Sequence, residues 1–168
     1  WWAHTADVHE AFLSGLTEDR DLYCESPKGW RLPGVPAGTL FRLKKGVFGL
    51  ANAPRLWWEK SRQELLELGY VENKVIPALF TLHHPDDGSV QGVVAMHVDD
   101  LLHGGDEHHH GLMEKLKTKV DFGSWQSAEQ GPLVYCGWRI TQAADHPITV
   151  DQEHYSVKVP ETEYARSK

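Results

Sequence analysis

The sequence VVAMHVDDLLHGG, residues 93–105, is the most informative segment of this chain. It sets two adjacent carboxylates, Asp99 and Asp100, between two short apolar runs, and such runs are typical of β-strands. The pattern predicts a hairpin with both carboxylates at its tip. Carboxylate oxygens are ligands that Mg²⁺ prefers, so a further carboxylate from elsewhere in the chain would complete a two-metal site for phosphoryl transfer.

An Asp-Asp pair between apolar runs is also an ordinary turn, because Asp hydrogen-bonds its own backbone there. Asp86 and Asp87, between Pro85 and Gly88, have the composition of such a hairpin turn, and we assign them no function. The pair at 99–100, taken alone, favours a plain turn over a metal site.

Two further segments change this interpretation. Residues 1–15, WWAHTADVHEAFLSG, place a lone Asp7 after a short apolar lead. Residues 43–57, LKKGVFGLANAPRLW, place a loop with glycine before a helix that begins near Pro54. The chain therefore offers a third carboxylate, and a loop whose Gly49 lets the backbone approach a ligand closely.

These segments, in this order, resemble the reverse transcriptase of copia-like LTR retrotransposons. That family shows Asp-Val-x-x-Ala-Phe-Leu-x-Gly, matched by residues 7–15, and Leu-Lys-Lys-x-Leu-Tyr-Gly-Leu-Lys-Gln-Ala-Pro-Arg-x-Trp, matched by 43–57. Its Tyr-Val-Asp-Asp segment is matched by 97–104, and its Phe-Leu-Gly-Ile-x-Ile strand by 135–140. A later family segment, which ends Gln-x-x-Tyr, is similar to 148–155. The five motifs occur in family order, and the resemblance extends over nearly the whole chain.

The resemblance implies an α+β fold: a reverse-transcriptase palm with an antiparallel, ferredoxin-like sheet, helices on one face, part of the fingers and the start of the thumb. We expect one domain over residues 1–168, as a fragment of a polyprotein. Its expected segments are the first catalytic Asp segment (1–15), a fingers-like insertion (16–45), the palm (46–125), and the primer-grip hairpin with the start of the thumb (126–168).

Hydrophobic periodicity and the positions of proline and glycine predict the strands and helices themselves. The order of these elements also fits the α+β class. Strands are expected at 1–7, 22–25, 39–45, 78–84, 90–99, 101–103, 133–142 and 148–151, and helices at 54–68, 107–120 and 153–159. Residues 8–13 are expected to form a short turn or helix, Asp106 to cap the second long helix, and Gly69 to end the first.

The resemblance also assigns roles by position. Asp7 and Asp99 are expected to share two Mg²⁺ ions (Mn²⁺ being the alternative), with Asp100 as a third carboxylate, while a primer 3′-hydroxyl attacks a dNTP. Substrate-binding roles fall on Phe12, Phe48, Gly49, Asn52, Pro54, His97 and Val98. Nucleic-acid-binding roles fall on Arg42, Lys44, Lys45, Arg55, Cys136, Gly137 and Trp138.

Structural interpretations of these residues stay open beside the functional ones. Phe12 either crowds the sugar 2′ position or is a core residue. The loop at Gly49 can simply start a helix, and Gly137 can mark a strand bulge. The chain also departs from the family at His97, where Tyr is usual, and at Ala51 and Asn52, where Lys-Gln is usual.

Charge is unevenly distributed along the chain. The net charge is −7, but residues 28–62 hold eight basic residues and one acid, which leaves −14 for the remainder. This asymmetry favours a phosphate-facing surface at Arg42, Lys44 and Lys45 over a merely solvated face.

Composition sets the outer limits. With 168 residues and 40% hydrophobic content the chain suits one globular domain, and no apolar run approaches the length of about 18 that a membrane span needs. The chain opens on Trp1 without a basic leader, so no signal peptide is expected. Cys24 and Cys136 are expected to be buried or half-buried apolar residues without a disulfide.

Histidines and tryptophans receive structural predictions. His108, His109 and His110 are expected at a solvated helix start rather than at a zinc site, because successive helical residues point about 100° apart. Most of the seven tryptophans are expected to pack in the core or at its rim.

The partners implied by the resemblance are a primed RNA or DNA template, a dNTP, and the integrase and RNase H parts of a Pol polyprotein, with no membrane. The implied locations are a cytoplasmic virus-like particle and the nucleus. Three hypotheses stand: a polymerase palm, a truncated and inactive remnant, and a non-catalytic nucleic-acid-binding module. Asp7, Asp99 and Asp100 argue against the last, since three acids repel a phosphate backbone without metal.

Overall fold

The computed structural model describes residues 1–30 and 32–160. Arg31, one of the basic residues counted above, and the last eight residues of the expected thumb segment lie outside this description. The strands are β1 (His4–Val8), β2 (Tyr23–Glu25), β3 (Leu40–Arg42), β4 (Val71–Glu72), β5 (Leu79–His83), β6 (Val90–His97), β7 (Asp100–Gly105), β8 (Phe122–Ser127), β9 (Leu133–Tyr135), β10 (Trp138–Gln142) and β11 (Ile148–Asp151). The helices are α1 (Ala11–Ser14), α2 (Ala53–Glu67), α3 (Glu107–Lys117) and α4 (Glu153–Ser156).

A six-stranded sheet in the order β4-β5-β6-β7-β1-β8 forms the centre of the molecule. All its pairings are antiparallel, as are those of the three-stranded sheet β11-β10-β9 and the pair β2-β3. The predicted α+β class is therefore confirmed. The first segment of the chain, β1, lies between β7 and β8, which brings Asp7 beside the hairpin that the sequence singled out.

The core lies between this sheet and the two long helices. Both helices contribute to one buried cluster, in which Trp57 and Leu65 of α2 and Met113 of α3 pack with Phe80 and Val94 of the sheet. In the sheet the buried positions alternate with less buried ones along β5, β6 and β7, as expected of strands with one covered face. Within residues 1–30 and 32–160, no helix combines the length and apolar character that crossing a bilayer demands.

Most predicted elements are confirmed with shifted ends, and Asp106 caps α3 as expected, since its side chain accepts from the His109 amide at 3.0 Å. The sequence patterns did not predict β4, which has only two residues, or β8, which contains Gly and Ser. Both segments have weak strand patterns. The predicted strand 133–142 is wrong as one unit: Cys136 and Gly137 form a turn with φ of 49° and 78° that divides β9 from β10.

Two burial predictions are wrong. Cys24 and Cys136 are both exposed, because β2 is a short strand of exposed residues and Cys136 lies in a turn. His109 lies fully buried rather than at a solvated helix start, since the first turn of α3 packs directly on β6 and β7.

A buried polar network surrounds His109. Its Nδ1 is 2.7 Å from the Tyr70 hydroxyl, and its Nε2 is 3.0 Å from Nδ1 of His103 on β7. The ring fits because Gly92 and Gly105, on the strands beneath, have no side chain: a Cβ at either position would overlap the imidazole. These two glycines are therefore selected by packing, not by backbone conformation.

Gly105→Ala is expected to destabilise the protein by about 1–3 kcal/mol, because the added methyl group must displace the His109 ring or the Gln91 carbonyl. Urea denaturation measures the change. Gly111→Ala on α3 is the matched control, since nothing lies near its added Cβ; there alanine is expected to stabilise by up to about 1 kcal/mol. Equal effects of the two substitutions would contradict the packing explanation.

Stability is expected to fall on acidification from pH 7 to pH 5. Burial, with the nearby His110, lowers the pKa of His109 to about 4, and burial beside His109 and His4 lowers that of His103 to about 2. The unfolded chain takes up protons near pH 6.5 while the folded chain does not, so stability present above pH 6.5 is lost as pH falls below it. The expected loss is about 4 kcal/mol, about 2 kcal/mol from each imidazole.

Urea denaturation across that pH range measures this slope. His109→Gln is expected to reduce it by about half, whereas His108→Gln, at the exposed neighbouring position, is expected to leave it unchanged. An unchanged slope in the His109 variant would contradict the assignment.

Candidate active site

Three carboxylates meet where β1, the β6–β7 turn and β7 come together. The register pairs Asp7 of β1 directly with Asp100 of β7, and Asp99 lies in the two-residue turn with Val98. Residues that face each other across an antiparallel pair project to the same side of the sheet. The structure therefore brings Asp100, rather than Asp99, opposite Asp7, while Asp99 joins β1 through its carbonyl, which accepts from the Val8 amide at 2.8 Å.

The electrostatics of this cluster centre on Asp100. Burial raises the pKa of its carboxyl, and the charges of Asp99 and Asp7 raise it further, with partial relief from His97. Negative charge is thus concentrated where a cation would relieve it. The carboxylate of Asp7 lies over Gly123 of β8, where an added Cβ would come within 3.2 Å of Oδ2.

The turn that carries Asp99 is held in a strained conformation. Val98 has φ of 57°, a left-handed backbone that a β-branched residue rarely adopts and that costs on the order of 1–3 kcal/mol. The indole Nε1 of buried Trp57, on α2, donates to the Val98 carbonyl. This hydrogen bond ties the tip of the hairpin to the first turns of the helix.

An open cleft of about 390 Å³ adjoins the carboxylates. Phe12 of α1 and Phe48 form one wall, with ring centroids 4.7 Å apart, and Phe48 is 78% exposed. His97 and Val98 line the cleft beside Asp99 and Asp100. The structure thus brings four of the predicted substrate-binding residues to the carboxylate cluster.

The remaining three predicted substrate-binding residues lie at the start of α2. Gly49 has φ of 95°, which explains glycine there, and Pro54 is exposed in the first turn of the helix. The Asn52 side chain is engaged within the protein: its Nδ2 donates to buried Glu18 at 2.8 Å, and its Oδ1 accepts from Arg20. The Arg20 guanidinium also donates to both Glu18 oxygens, at 2.7 and 2.9 Å, and these hydrogen bonds, followed by the one from Asn52, lower the pKa of Glu18 to about 2.

The predicted nucleic-acid-binding side chains are largely paired with protein groups. Arg42 contacts Asp21 at 2.8 Å and Arg55 contacts Glu59 at 2.7 Å, while the Lys45 ammonium donates to the Gly15 carbonyl at 2.7 Å. Lys44 is exposed. Exposed ion pairs contribute little to stability, so these side chains are able to pair with phosphate instead. Their phosphate-binding roles stay predictions.

The turn between β9 and β10 brings a thiol to the carboxylate cluster. Cys136, Gly137 and Trp138 are all exposed, Trp138 by 46%. Ligand atoms of Cys136, His97 and Asp100 lie within 4.8 Å of one another. Burial, together with the charge of Asp100, raises the pKa of the Cys136 thiol.

The sequence did not indicate the Trp57 hydrogen bond, the Glu18 network or the approach of Cys136 to Asp100. Trp57 is one of the tryptophans, most of which were predicted to pack in the core or at its rim, and nothing in its spacing points to a backbone carbonyl 41 residues away. For the approach of Cys136 to Asp100, the sequence shows only that His97 and Cys136 depart from the resembling motifs, which have Tyr and Leu at these positions.

The sequence of this chain is similar to those of known proteins. Residues 1–163 match the family described as Reverse transcriptase (RNA-dependent DNA polymerase). The Retrovirus-related Pol polyprotein from transposon RE1 of Arabidopsis thaliana is 33% identical over 107 residues, or 64% of this chain, and that from transposon TNT 1-94 of Nicotiana tabacum is 27% identical over 157 residues, or 92%. The chain spans 7% and 11% of the lengths of these relatives.

Proposed function

Since this chain belongs to the reverse transcriptase (RNA-dependent DNA polymerase) family, we propose that it forms the palm of an RNA-directed DNA polymerase in a copia-like retrotransposon Pol polyprotein. The observation that carries the proposal is the pairing of Asp7 with Asp100 beside Asp99, next to an open cleft. The antiparallel central sheet, with both long helices in one core cluster, supports a ferredoxin-like palm.

The donor set fits two Mg²⁺ or Mn²⁺ ions, because it consists of carboxylate oxygens. Burial, and then the charges of Asp99 and Asp7, raise the pKa of Asp100. We assign the shared ligands to Asp7 and Asp99 and the third carboxylate to Asp100. Bound divalent ions would stabilise the charge on the attacking and leaving oxygens during transfer of a nucleotide to a primer 3′-hydroxyl.

The cleft suits the deoxyribonucleotide. Phe12 would stand against the sugar and exclude a 2′-hydroxyl, and Phe48 would extend the same aromatic wall. His97 and Val98 would border the reacting end of the primer, and Gly49 would let the loop before α2 approach base or template closely. Asn52 and Pro54 would act by fixing that loop, Asn52 through Glu18.

The template and primer would contact two surfaces. Arg42, Lys44, Lys45 and Arg55 would bind phosphates, exchanging their present partners for the stronger charge of the backbone. The turn at 136–138 would lie along the primer, where exposed Trp138 offers a stacking surface.

The segments 1–15, 16–45, 46–125 and 126–168 are proposed to serve as first catalytic segment, fingers-like insertion, palm, and primer grip with the start of the thumb. The relatives are Pol polyproteins. We therefore place this chain in a longer protein that also carries integrase and RNase H, working in a cytoplasmic particle and in the nucleus.

Primer extension tests the proposal. This chain, alone and within the longest available Pol protein that contains it, is supplied with a primed RNA template, dNTPs and Mg²⁺. Extension that Asp7→Asn abolishes supports the proposal. Absence of extension by either protein favours an inactive remnant, and template binding that survives removal of Mg²⁺ favours a non-catalytic binding module.

A further inference from the structure

The ligand cluster at the junction of two hairpins has a composition unlike that of the Mg²⁺ site. It joins an imidazole from the end of β6, a carboxylate from the start of β7 and a thiol from the β9–β10 turn: His97, Asp100 and Cys136. One ligand atom of each lies within 4.8 Å of the other two. His97 and Cys136 are exposed and Asp100 is half-buried, so a metal ion has access and two of the three side chains are free to adjust.

This donor set is suited to zinc rather than magnesium. Zn²⁺ takes nitrogen, sulfur and oxygen ligands at about 2.0–2.3 Å, whereas Mg²⁺ demands oxygen. In a tetrahedral site of those bond lengths, neighbouring ligand atoms lie about 3.3–3.7 Å apart. The ligand atoms therefore need to approach one another by no more than about 1.5 Å, and three protein ligands leave the fourth position for water.

Asp99 and Asp7 add negative charge beside the cluster, which attracts any divalent cation to it. Two of the three ligands are also departures from the resembling motifs, in which the positions of His97 and Cys136 carry Tyr and Leu. Neither Tyr nor Leu would complete a zinc site there. The combination of imidazole, carboxylate and thiol is therefore a feature of this chain and not of the motifs. Asp100 belongs both to this cluster and to the carboxylate cluster with Asp7 and Asp99.

We infer that His97, Asp100 and Cys136 form a Zn²⁺ site that withdraws Asp100 from the magnesium cluster and joins the β6–β7 hairpin to the β9–β10 turn. The binding half of this inference depends only on the three side chains. The inhibitory half, in which Zn²⁺ slows nucleotide transfer, rests on the proposed function.

Cobalt titration tests binding without any need for activity, since Co²⁺ replaces Zn²⁺ and gives a thiolate charge-transfer band. The wild-type chain in excess Mg²⁺ is expected to show this band at one ion per chain, and Zn²⁺ to displace it. Cys136→Ser is expected to lose the band, and His97→Tyr to weaken cobalt binding by at least about tenfold. Cys24→Ser, at the other exposed cysteine, is the matched control and is expected to keep it.

Absence of the band in the wild type, or a band that survives Cys136→Ser or disappears in Cys24→Ser, would overturn the site. Asp7→Asn distinguishes failure of the zinc site from failure of the proposed function. This variant is expected to stop primer extension and to keep the cobalt band.

Inhibition is measured on a Pol protein that extends primers, as the Zn²⁺ concentration that halves each variant's own zinc-free rate. Cys136→Leu is expected to raise that concentration at least about tenfold, because the thiolate is lost. An equal sensitivity of wild type and variant would overturn the inhibitory half. If no protein extends a primer, the proposed function fails, and the cobalt titration still decides the binding half.

Discussion

Asp7→Asn and Asp99→Asn are each expected to lower kcat/KM for nucleotide addition by at least about 10³-fold, because each removes a carboxylate charge that the proposed site uses to hold both metal ions. Asp100→Asn is expected to cost less, about 10²-fold, since it is assigned as the third carboxylate. Single-nucleotide primer extension at saturating Mg²⁺ measures all three. Asparagine keeps the size of the side chain and removes only its charge.

Asp87→Asn in the other Asp-Asp pair is the matched control. Asp87 lies in the β5–β6 turn, where its side chain accepts from the Ser89 amide at 2.9 Å, far along the strands from the carboxylate cluster. Its variant is expected to extend primers at the wild-type rate. Extension that persists at more than a tenth of that rate in Asp99→Asn would contradict the assignment of shared ligands.

Trp57→Ala is expected to lower the free energy of unfolding by about 3–5 kcal/mol, because it removes a large buried aromatic side chain from the core. The side chain is 2% exposed at the centre of the core, and its indole also holds the strained Val98 carbonyl. Urea denaturation measures the loss. Leu66→Ala, on the exposed side of the same helix, is the control and is expected to cost under about 1 kcal/mol.

Trp57→Phe keeps an aromatic ring in the core and removes the indole donor together with the volume of its five-membered ring, so its effect is expected to be smaller than that of Trp57→Ala. We expect about 1–2 kcal/mol of destabilisation. If primer extension requires a fixed β6–β7 turn, the rate of primer extension is expected to fall together with the free energy of unfolding. A Trp57→Ala variant as stable as wild type would show that the hairpin tip does not depend on this helix.

The sequence located the hairpin around Asp99 and Asp100 and a helix beginning near Pro54, because both have strong local patterns: two short apolar runs, and proline in the first helical turn. It missed β8, whose residues gain strand structure only by pairing with β1. The prediction for His109 was wrong, because the sequence of a helix does not show whether a polar side chain has a buried hydrogen-bond partner such as Tyr70.

Motif order and residue type are properties of the chain alone, so they were enough to identify the family and the α+β class and to predict the three acidic residues of the proposed site. Only the tertiary structure decided that Asp100 faces Asp7, that Cys136 reaches the same cluster, and that His109 is buried. The reason is physical: strand register and the contact of two distant hairpins are set by packing of the whole sheet, and local preference does not encode them.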